Sequence, residues 1–262
     1  MDPKVSIIIP CYNSEATLEE TLNSVKAQEF EDWEAIIVND GSPDNLEVIA
    51  LDWVAKDSRF KYFKKENEGL GRTRNYGIEK ARGLYILPLD SDNKVASAFI
   101  GKAVEILDSE AEIGVVHGDA MYFGEKKGRW KVAPFDFERM LLSNYIDACA
   151  VYRKSLWEQV GGYDVQMPYQ GNEDWELWLA FGAEKVRFKY LDEITFNYRV
   201  TGGSMINTFS NEMFSANRAY VRKKYSEQYF HYFKKNYSAL KSYNEKPLKS
   251  ALSFFKKWIK SL

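Results

Sequence analysis

Val5-Ser-Ile-Ile-Ile-Pro-Cys-Tyr-Asn13 carries the first apolar run of the chain and ends it with Pro10 and a polar turn. The run from Val5 to Ile9 is short, β-branched and nearly free of polar alternation. It reads as a strand buried on both faces, which is the pattern of a parallel sheet. Working outward, Asn13-Ser14 can cap a helix over Glu15 to Gln28 that places Leu18, Leu22 and Val25 on one face. Trp33 to Val38 is the next apolar run, closed by Asn39-Asp-Gly-Ser42. A second helix is predicted over Ser42 to Ala55 and a short strand over Phe60 to Phe63. A third helix is predicted over Gly71 to Arg82, ended by Gly83. Leu84 to Leu89 is a further buried strand, followed by Asp90-Ser-Asp-Asn93. Strand and helix therefore alternate through residues 1–93, the order of a doubly wound parallel sheet.

Beyond residue 93 the alternation is less regular. A helix is predicted over Ala98 to Leu107 and strands over Ile113 to His117, 145–152 and Val186 to Tyr190. Helices are predicted over Lys154 to Val160 and Glu173 to Phe181, and Met121 to Val132 reads as a hairpin or a mobile loop. The economical organisation is one α/β domain over 1–215, with halves 1–93 and 94–215, followed by a basic, aromatic helical tail over 216–262. The expected fold class is α/β, with a mixed, mostly parallel sheet flanked by helices and a C-terminal helical extension.

The 262 residues are 45% apolar, 28% charged and 15% aromatic, which excludes disorder as the main state. The longest apolar stretches are far too short to span a bilayer. Residues 1–20 lack a basic start followed by a long apolar core, so no secretory signal is expected. Cys11 and Cys149 alone make no disulfide framework and point to a reducing, cytoplasmic setting. His117 and His231 are too few for a poly-histidine metal site. The net charge of −2 hides an asymmetry: residues 222–262 hold 11 Lys/Arg against Glu227 and Glu245. The acidic body is a poor partner for nucleic acid, whose phosphates need clustered Lys and Arg.

In open parallel sheets ligands bind in the crevice at the carboxyl ends of the strands. Four polar loops are expected at that rim. In the first, Tyr12 offers a ring face for a base. In the second, Asp40 can accept the imide N–H of a uracil or the donors of another base. In the third, Asn67, Gly69 and Gly71 let backbone approach a ligand closely, and Arg74 can meet a phosphate. No dinucleotide glycine fingerprint and no P-loop are present, which excludes a flavin or nicotinamide module of that type.

The fourth loop, Asp90-Ser91-Asp92, has two readings. It is good turn and capping chemistry. Alternatively, two carboxylates past a buried strand repel one another, and a hard divalent cation offsets that repulsion. The three companion loops favour the cation. Asp174, in Glu173-Asp174-Trp-Glu-Leu-Trp178, also has two readings: a helix-start residue favoured by the macrodipole, or a carboxylate facing the rim as a general base.

Jointly, these stretches resemble the family 2 inverting glycosyltransferases, which bind nucleotide-sugars on a GT-A fold. The matching segments are Val5-Ser-Ile-Ile-Ile-Pro-Cys-Tyr-Asn13, Ile37-Val-Asn-Asp-Gly-Ser42, Glu66-Asn-Glu-Gly-Leu-Gly-Arg-Thr-Arg-Asn75, Gly83-Leu-Tyr-Ile-Leu-Pro-Leu-Asp-Ser-Asp92, and Gly161-Gly-Tyr-Asp164 followed by Glu173-Asp174. The resemblance implies that Pro10, Tyr12, Asn13, Glu15 and Asp40 bind base and ribose. It implies that Asp90 and Ser91 line the sugar-nucleotide, that Asp92 holds Mg2+ or Mn2+, and that Asp174 takes the proton of the acceptor hydroxyl. Family members often carry a histidine in the segment that here reads Tyr198-Arg-Val-Thr-Gly-Gly-Ser204. Thr201 stands at roughly that place, so water, Arg199 or backbone would substitute.

The implied activity is transfer of a sugar from a nucleoside-diphosphate sugar, UDP-linked by preference, to a saccharide or lipid-linked acceptor in bacterial-type surface glycan assembly. The rival reading is a non-catalytic nucleotide-sugar-binding protein or subunit, against which Asp92 and Asp174 argue. Gly203, Met205 and Asn207 read either as a segment that closes over the diphosphate or as an ordinary exposed loop. Within 246–262, Leu248, Ala251, Leu252, Phe254, Phe255, Trp258, Ile259 and Leu262 share one broad helical face and Lys249, Lys256, Lys257 and Lys260 the other. That pattern suits either the inner face of a cell membrane or packing on protein, including a second subunit.

Overall fold

The computed structural model describes residues 2–202 and 209–245. The central strands are β1 (Val5–Cys11) and β2 (Trp33–Asp40), buried at every position as their apolar runs require. Their one awkward pair is satisfied internally: Ser6 Oγ donates to Glu34 at 2.8 Å, and the Arg82 amide and guanidinium also donate to that carboxylate. β3 (Phe60–Lys65) and β4 (Tyr85–Pro88) flank them in the order β3-β2-β1-β4, all parallel. Parallel neighbours need long crossovers, which α1 (Leu18–Lys26), α2 (Leu46–Lys56) and α3 (Leu70–Lys80) supply. α1 buries Leu18, Leu22 and Val25, the face its periodicity predicts.

The second half makes the sheet mixed. In chain order it adds β5 (Lys94–Val95), α4 (Phe99–Ser109), β6 (Ile113–Gly124), β7 (Gly128–Trp130), α5 (Phe137–Leu142), β8 (Val151–Arg153), α6 (Lys154–Val160), α7 (Glu173–Ala183) and β9 (Arg187–Val200). β8 pairs antiparallel with both β4 and β6, whereas β6 and β9 run parallel. The nine-stranded sheet continues β4-β8-β6-β9-β5, with β7 on β6. The expected α/β class with a mixed, mostly parallel sheet is the observed one.

Several boundaries differ from the sequence reading for local reasons. α1 starts at Leu18 after Thr17, not at Glu15. Asn13 sits in the left-handed region at φ 52° and its amide donates to Ser42 Oγ, so it serves the rim and does not cap a helix. α2 begins at Leu46 because Ser42 and Asp44 are likewise used between loops. The strand expected over 145–152 is regular only over Val151–Arg153. β6 and β9 are far longer than expected because they pair with each other to Gly124 and Val200, through bulges at Gly118 and Asp119. Met121 to Val132 is a hairpin, with Met121 opposite Arg129. β5 and α5 had no counterpart in the periodicity.

One buried carboxylate ties three of these strands. Asp119 is fully buried on β6 and accepts from Val132 N at 2.8 Å, Tyr190 Oη at 2.7 Å and Arg129 Nε at 2.6 Å. The chain divides into two compact units, the first ending at Asn217 and the second beginning at Arg218. α8 (Asn211–Lys224) crosses that boundary and α9 (Ser226–Glu245) lies in the second unit, where Phe230, Phe233, Tyr237 and Leu240 are exposed. No helix among the described residues is long and apolar enough to cross a membrane. The tail segment 246–262 and the Gly203, Met205 and Asn207 segment lie outside the described residues.

Asp119→Ala strips the buried Val132 amide, and the more exposed Tyr190 and Arg129, of their acceptor. It should lower unfolding free energy by about 3 kcal/mol, read as a lower urea midpoint with an unchanged m-value.

Candidate active site

The first two rim loops are tied together before any ligand arrives. Asn13 N donates to Ser42 Oγ (2.8 Å), Glu15 N donates to Asp44 Oδ2 (2.7 Å), and Asn45 N donates back to Glu15 Oε2 (3.1 Å). Pro10 is buried within β1, and Tyr12, Asn13 and Glu15 follow it exposed along the rim. The Tyr12 ring is 50% exposed, so its face is available for stacking.

Asp40, at the end of β2, organises the third loop. Its Oδ1 accepts from Lys65 Nζ (2.7 Å) and Glu68 N (3.0 Å), and its Oδ2 accepts from Gly69 N (2.9 Å). Burial works to raise its pKa, but the Lys65 ammonium and these amides outweigh burial and hold the carboxyl below its ordinary range. Lys65 was absent from the sequence reading; β3 carries it two residues past the predicted strand end. Gly69 takes φ 91°, which favours glycine, and a Cβ there would stand 1.9 Å from Gln170 Nε2 and displace the end of that side chain. Gln170 Oε1 accepts from Leu70 N at 2.7 Å, and a Cβ on Gly71 would lie 3.1 Å from Glu173 Cγ. α3 thus enters directly beside the start of α7. Asn67 is exposed on this loop.

Arg74 leaves that first turn of α3 inward. It is 2% exposed and its Nη2 donates to Asp90 Oδ1 at 2.6 Å. The side chain proposed from sequence to meet a phosphate is therefore paired, in this structure, with the first carboxylate of the fourth loop. Thr17 Oγ1 donates to Ser91 O (2.9 Å), Thr21 Oγ1 to Asn93 O (2.8 Å) and Arg199 Nε to Asp92 O (3.0 Å), which fixes the backbone of 90–93. The Asp92 carboxylate receives no side-chain donor from any described residue. Its pKa is pushed up to about 6 by burial and then by the Asp90 charge.

Asp174 occupies the first turn of α7. Oδ2 accepts from Asn144 Nδ2 at 2.9 Å and Oδ1 from Trp175 N at 2.8 Å. Burial pushes its pKa up to about 6, against the pull of Arg74 and Asn144. Glu173 is buried, with both oxygens accepting from Gly171 N at 2.9 and 3.0 Å. Burial raises the Tyr198 phenol pKa, and the charges of Asp147, Asp90, Asp92 and Asp174 raise it further. Those four carboxylates therefore lie within electrostatic reach of one tyrosine. The structure gathers Asp90, Asp92 and Asp174 there, and leaves Tyr12, Asn13, Glu15 and Asp40 along the rim of β1 and β2. Sequence reasoning missed Asp147, because an expected strand over 145–152 gave its side chain no special place, and Asn144, which stands just before that strand.

The fit of this loop to a cation rests on the uncompensated Asp92 carboxylate. Among the described residues no group of three or more His, Cys, Asp or Glu side chains is arranged to hold a metal ion. A Mg2+ or Mn2+ ion held by one or two carboxylates and completed by substrate phosphates and water needs no such group. Asp92, with Asp90 beside it, fits that mode of binding.

The family profile of Glycosyl transferase family 2 matches residues 6–161, and the chain belongs to that family. It is 31% identical over 224 residues to an uncharacterized glycosyltransferase of Rickettsia typhi, covering 80% of this chain and 68% of that protein. It is 44% identical over 222 residues to the uncharacterized glycosyltransferase EpsJ of Bacillus subtilis, covering 78% of this chain and 63% of that protein. Among solved structures, S. aureus TarS 1–349 in complex with UDP-GlcNAc superposes with a TM-score of 0.66 at 20% identity, covering 81% of this chain and 64% of that one. The mannosyltransferase PcManGT of Pyrobaculum calidifontis, in complex with GDP-Man and Mn2+, superposes with a TM-score of 0.60 at 18% identity, covering 78% and 59%. These likenesses show the GT-A fold. The chain spans about two thirds of the length of these relatives, 68% and 63%.

Asn144→Ala removes the donor that favours ionised Asp174. The Asp174 titration midpoint should rise above its wild-type value of about 6, as read by carboxyl 13C NMR with the signal assigned through Asp174→Asn.

Proposed function

We propose that this chain is an inverting glycosyltransferase that moves a sugar from a nucleoside-diphosphate sugar to a saccharide or lipid-linked acceptor in surface glycan assembly. The observation that carries the proposal is that the buried Arg74 pairs with Asp90 at 2.6 Å and also lies within electrostatic reach of Asp174, whose pKa is near 6. A base for an acceptor hydroxyl and an anchor for a charged leaving group are thus brought near one another, which a non-catalytic binder does not need.

In this reading Tyr12 stacks on the base, and Asp40 turns the remaining acceptor capacity of Oδ2 toward its imide. TarS binds UDP-GlcNAc on this fold, and with Asp40 this supports a UDP-sugar. Pro10, Asn13 and Glu15 shape the ribose side, with Asn67 and Gly69 beside them. Asp90 and Ser91 line the sugar-nucleotide, and Arg74 acts by holding Asp90. Asp92, with Asp90, would hold Mg2+ or Mn2+, which supplies positive charge against the diphosphate when bound. Asp174 accepts the proton of the acceptor hydroxyl as its oxygen attacks the anomeric carbon, opposite the departing diphosphate. One displacement inverts the configuration. We assign nucleotide binding to 1–93 and acceptor binding to 94–215. To the basic tail 216–262 we assign contact, through 246–262, with the cytoplasmic membrane face or a second subunit.

The folded-state pKa of Asp174 lies above its ordinary value of 3.8, so its ionisation opposes folding as pH rises from about 4 to about 6. Asp174→Asn should therefore gain about 1–3 kcal/mol of stability at pH 8 and nothing at pH 4. The same substitution should cut turnover by about 100- to 10,000-fold while donor affinity, read by titration calorimetry, stays the same. Loss of donor affinity would move Asp174 into a binding role. Because Asp174 works ionised, wild-type kcat/KM should fall as pH drops below about 6.

Chelation by EDTA should stop transfer and added Mn2+ should restore it, with Asp92→Ala inactive at any Mn2+ concentration. Full activity in EDTA would overturn the metal role.

A further inference from the structure

Asp147 is the one carboxylate of the cluster with no part in the chemistry above. Its place follows from strand direction. β8 runs antiparallel to β4, with Tyr85 opposite Arg153 and Ile86 opposite Tyr152. Residues just before Val151 are therefore carried toward the end of β4 that bears Asp90 and Asp92. The preceding segment is held there rigidly: Trp178 Nε1 donates to Ile146 O at 3.1 Å, Asn144 Nδ2 to Asp174 Oδ2 at 2.9 Å, and Cys149 N to Asp147 Oδ1 at 2.9 Å.

Asp147 Oδ2 makes no hydrogen bond to any described residue. Asp90 and Asp174 both act on its charge, so it lies within electrostatic reach of the leaving-group anchor and the base, and Asn144, three residues before it, is bonded to Asp174. Arg74 acts on the same carboxylate, and its Nε is itself buried without a partner among the described residues. A half-buried acceptor and a buried donor thus stand unused near Asp90 and Asp174. In an in-line displacement the transferred sugar lies between the leaving-group anchor and the base. A carboxylate suits sugar hydroxyls, which donate, and repels a diphosphate, which does not.

We propose that Asp147 accepts hydrogen bonds from hydroxyl groups of the transferred sugar and so helps to select which sugar is moved. This rests on the proposed donor site and adds a specificity-determining residue to it.

The test measures binding to the full chain by calorimetry in Mn2+, with UDP and with UDP-GlcNAc, UDP-glucose, UDP-galactose and GDP-mannose as probes. Asp147→Asn keeps the shape and the Cys149 contact partner while removing the charge. It should weaken the best nucleotide-sugar by about tenfold or more and leave bare UDP unchanged. Equal effects on UDP and on the nucleotide-sugar, or none on either, would overturn the assignment. On wild-type protein, deoxy analogues of the best sugar supply a second measure that does not depend on the variant folding. At least one hydroxyl deletion should cost about tenfold in wild type and little in Asp147→Asn; a flat response across the analogues would overturn the assignment. Wild-type protein that binds neither UDP nor any nucleotide-sugar would overturn the donor site itself.

Discussion

Arg74 is nearly fully buried, pairs with Asp90 at 2.6 Å, and lies within electrostatic reach of Glu173, Asp174 and Asp147. Burying so much negative charge without a cation would be prohibitive, and the carboxyls would protonate instead. One guanidinium makes the cluster tolerable but does not neutralise it. Asp92 and Asp174 are consequently left with pKa values near 6, and Asp147 is shifted upward as well. Residual negative potential of this kind is what a divalent cation, a transferable proton or a donating hydroxyl can relieve. The cleft is therefore strained electrostatically in the direction its chemistry uses.

The rest of the rim supplies rigidity. Asp40 fixes the third loop through Lys65 and two amides, Ser42 and Asp44 join the second loop to the first, and Thr17, Thr21 and Arg199 hold the backbone of 90–93. Loops held this way present side chains with the precision of the sheet beneath them. The glycine at 69 belongs to the same economy, since its φ of 91° at the entry to α3 is one that side chains rarely adopt. The site lies where the parallel half of the sheet meets the antiparallel strand β8. Direction reversal at that seam is what brings chain from residues 144–149 beside loops from residues 90–93.

Much of this was legible in the chain. The buried runs at Val5–Ile9 and Trp33–Val38 permit little except central parallel strands, and the polar stretches after them fall at one rim by the geometry of crossovers. Asp40, Asp90, Asp92 and Asp174 could be singled out because each stands at an element boundary, where a carboxylate has no packing reason to be. Asp147 and Asn144 could not, because they sit in irregular chain whose local pattern resembles a strand. Lys65 could not, because its partner is 25 residues away across two strands.

The sequence by itself determined the alternating elements, the parallel core and the family, because burial periodicity and turn chemistry are local properties. Only the tertiary structure decided that Arg74 turns inward to Asp90, that β6 and β9 lengthen by pairing, and that four carboxylates come within electrostatic reach of Tyr198. Those outcomes depend on strand direction and on which charges share a low-dielectric space, and neither is written in any single stretch of chain.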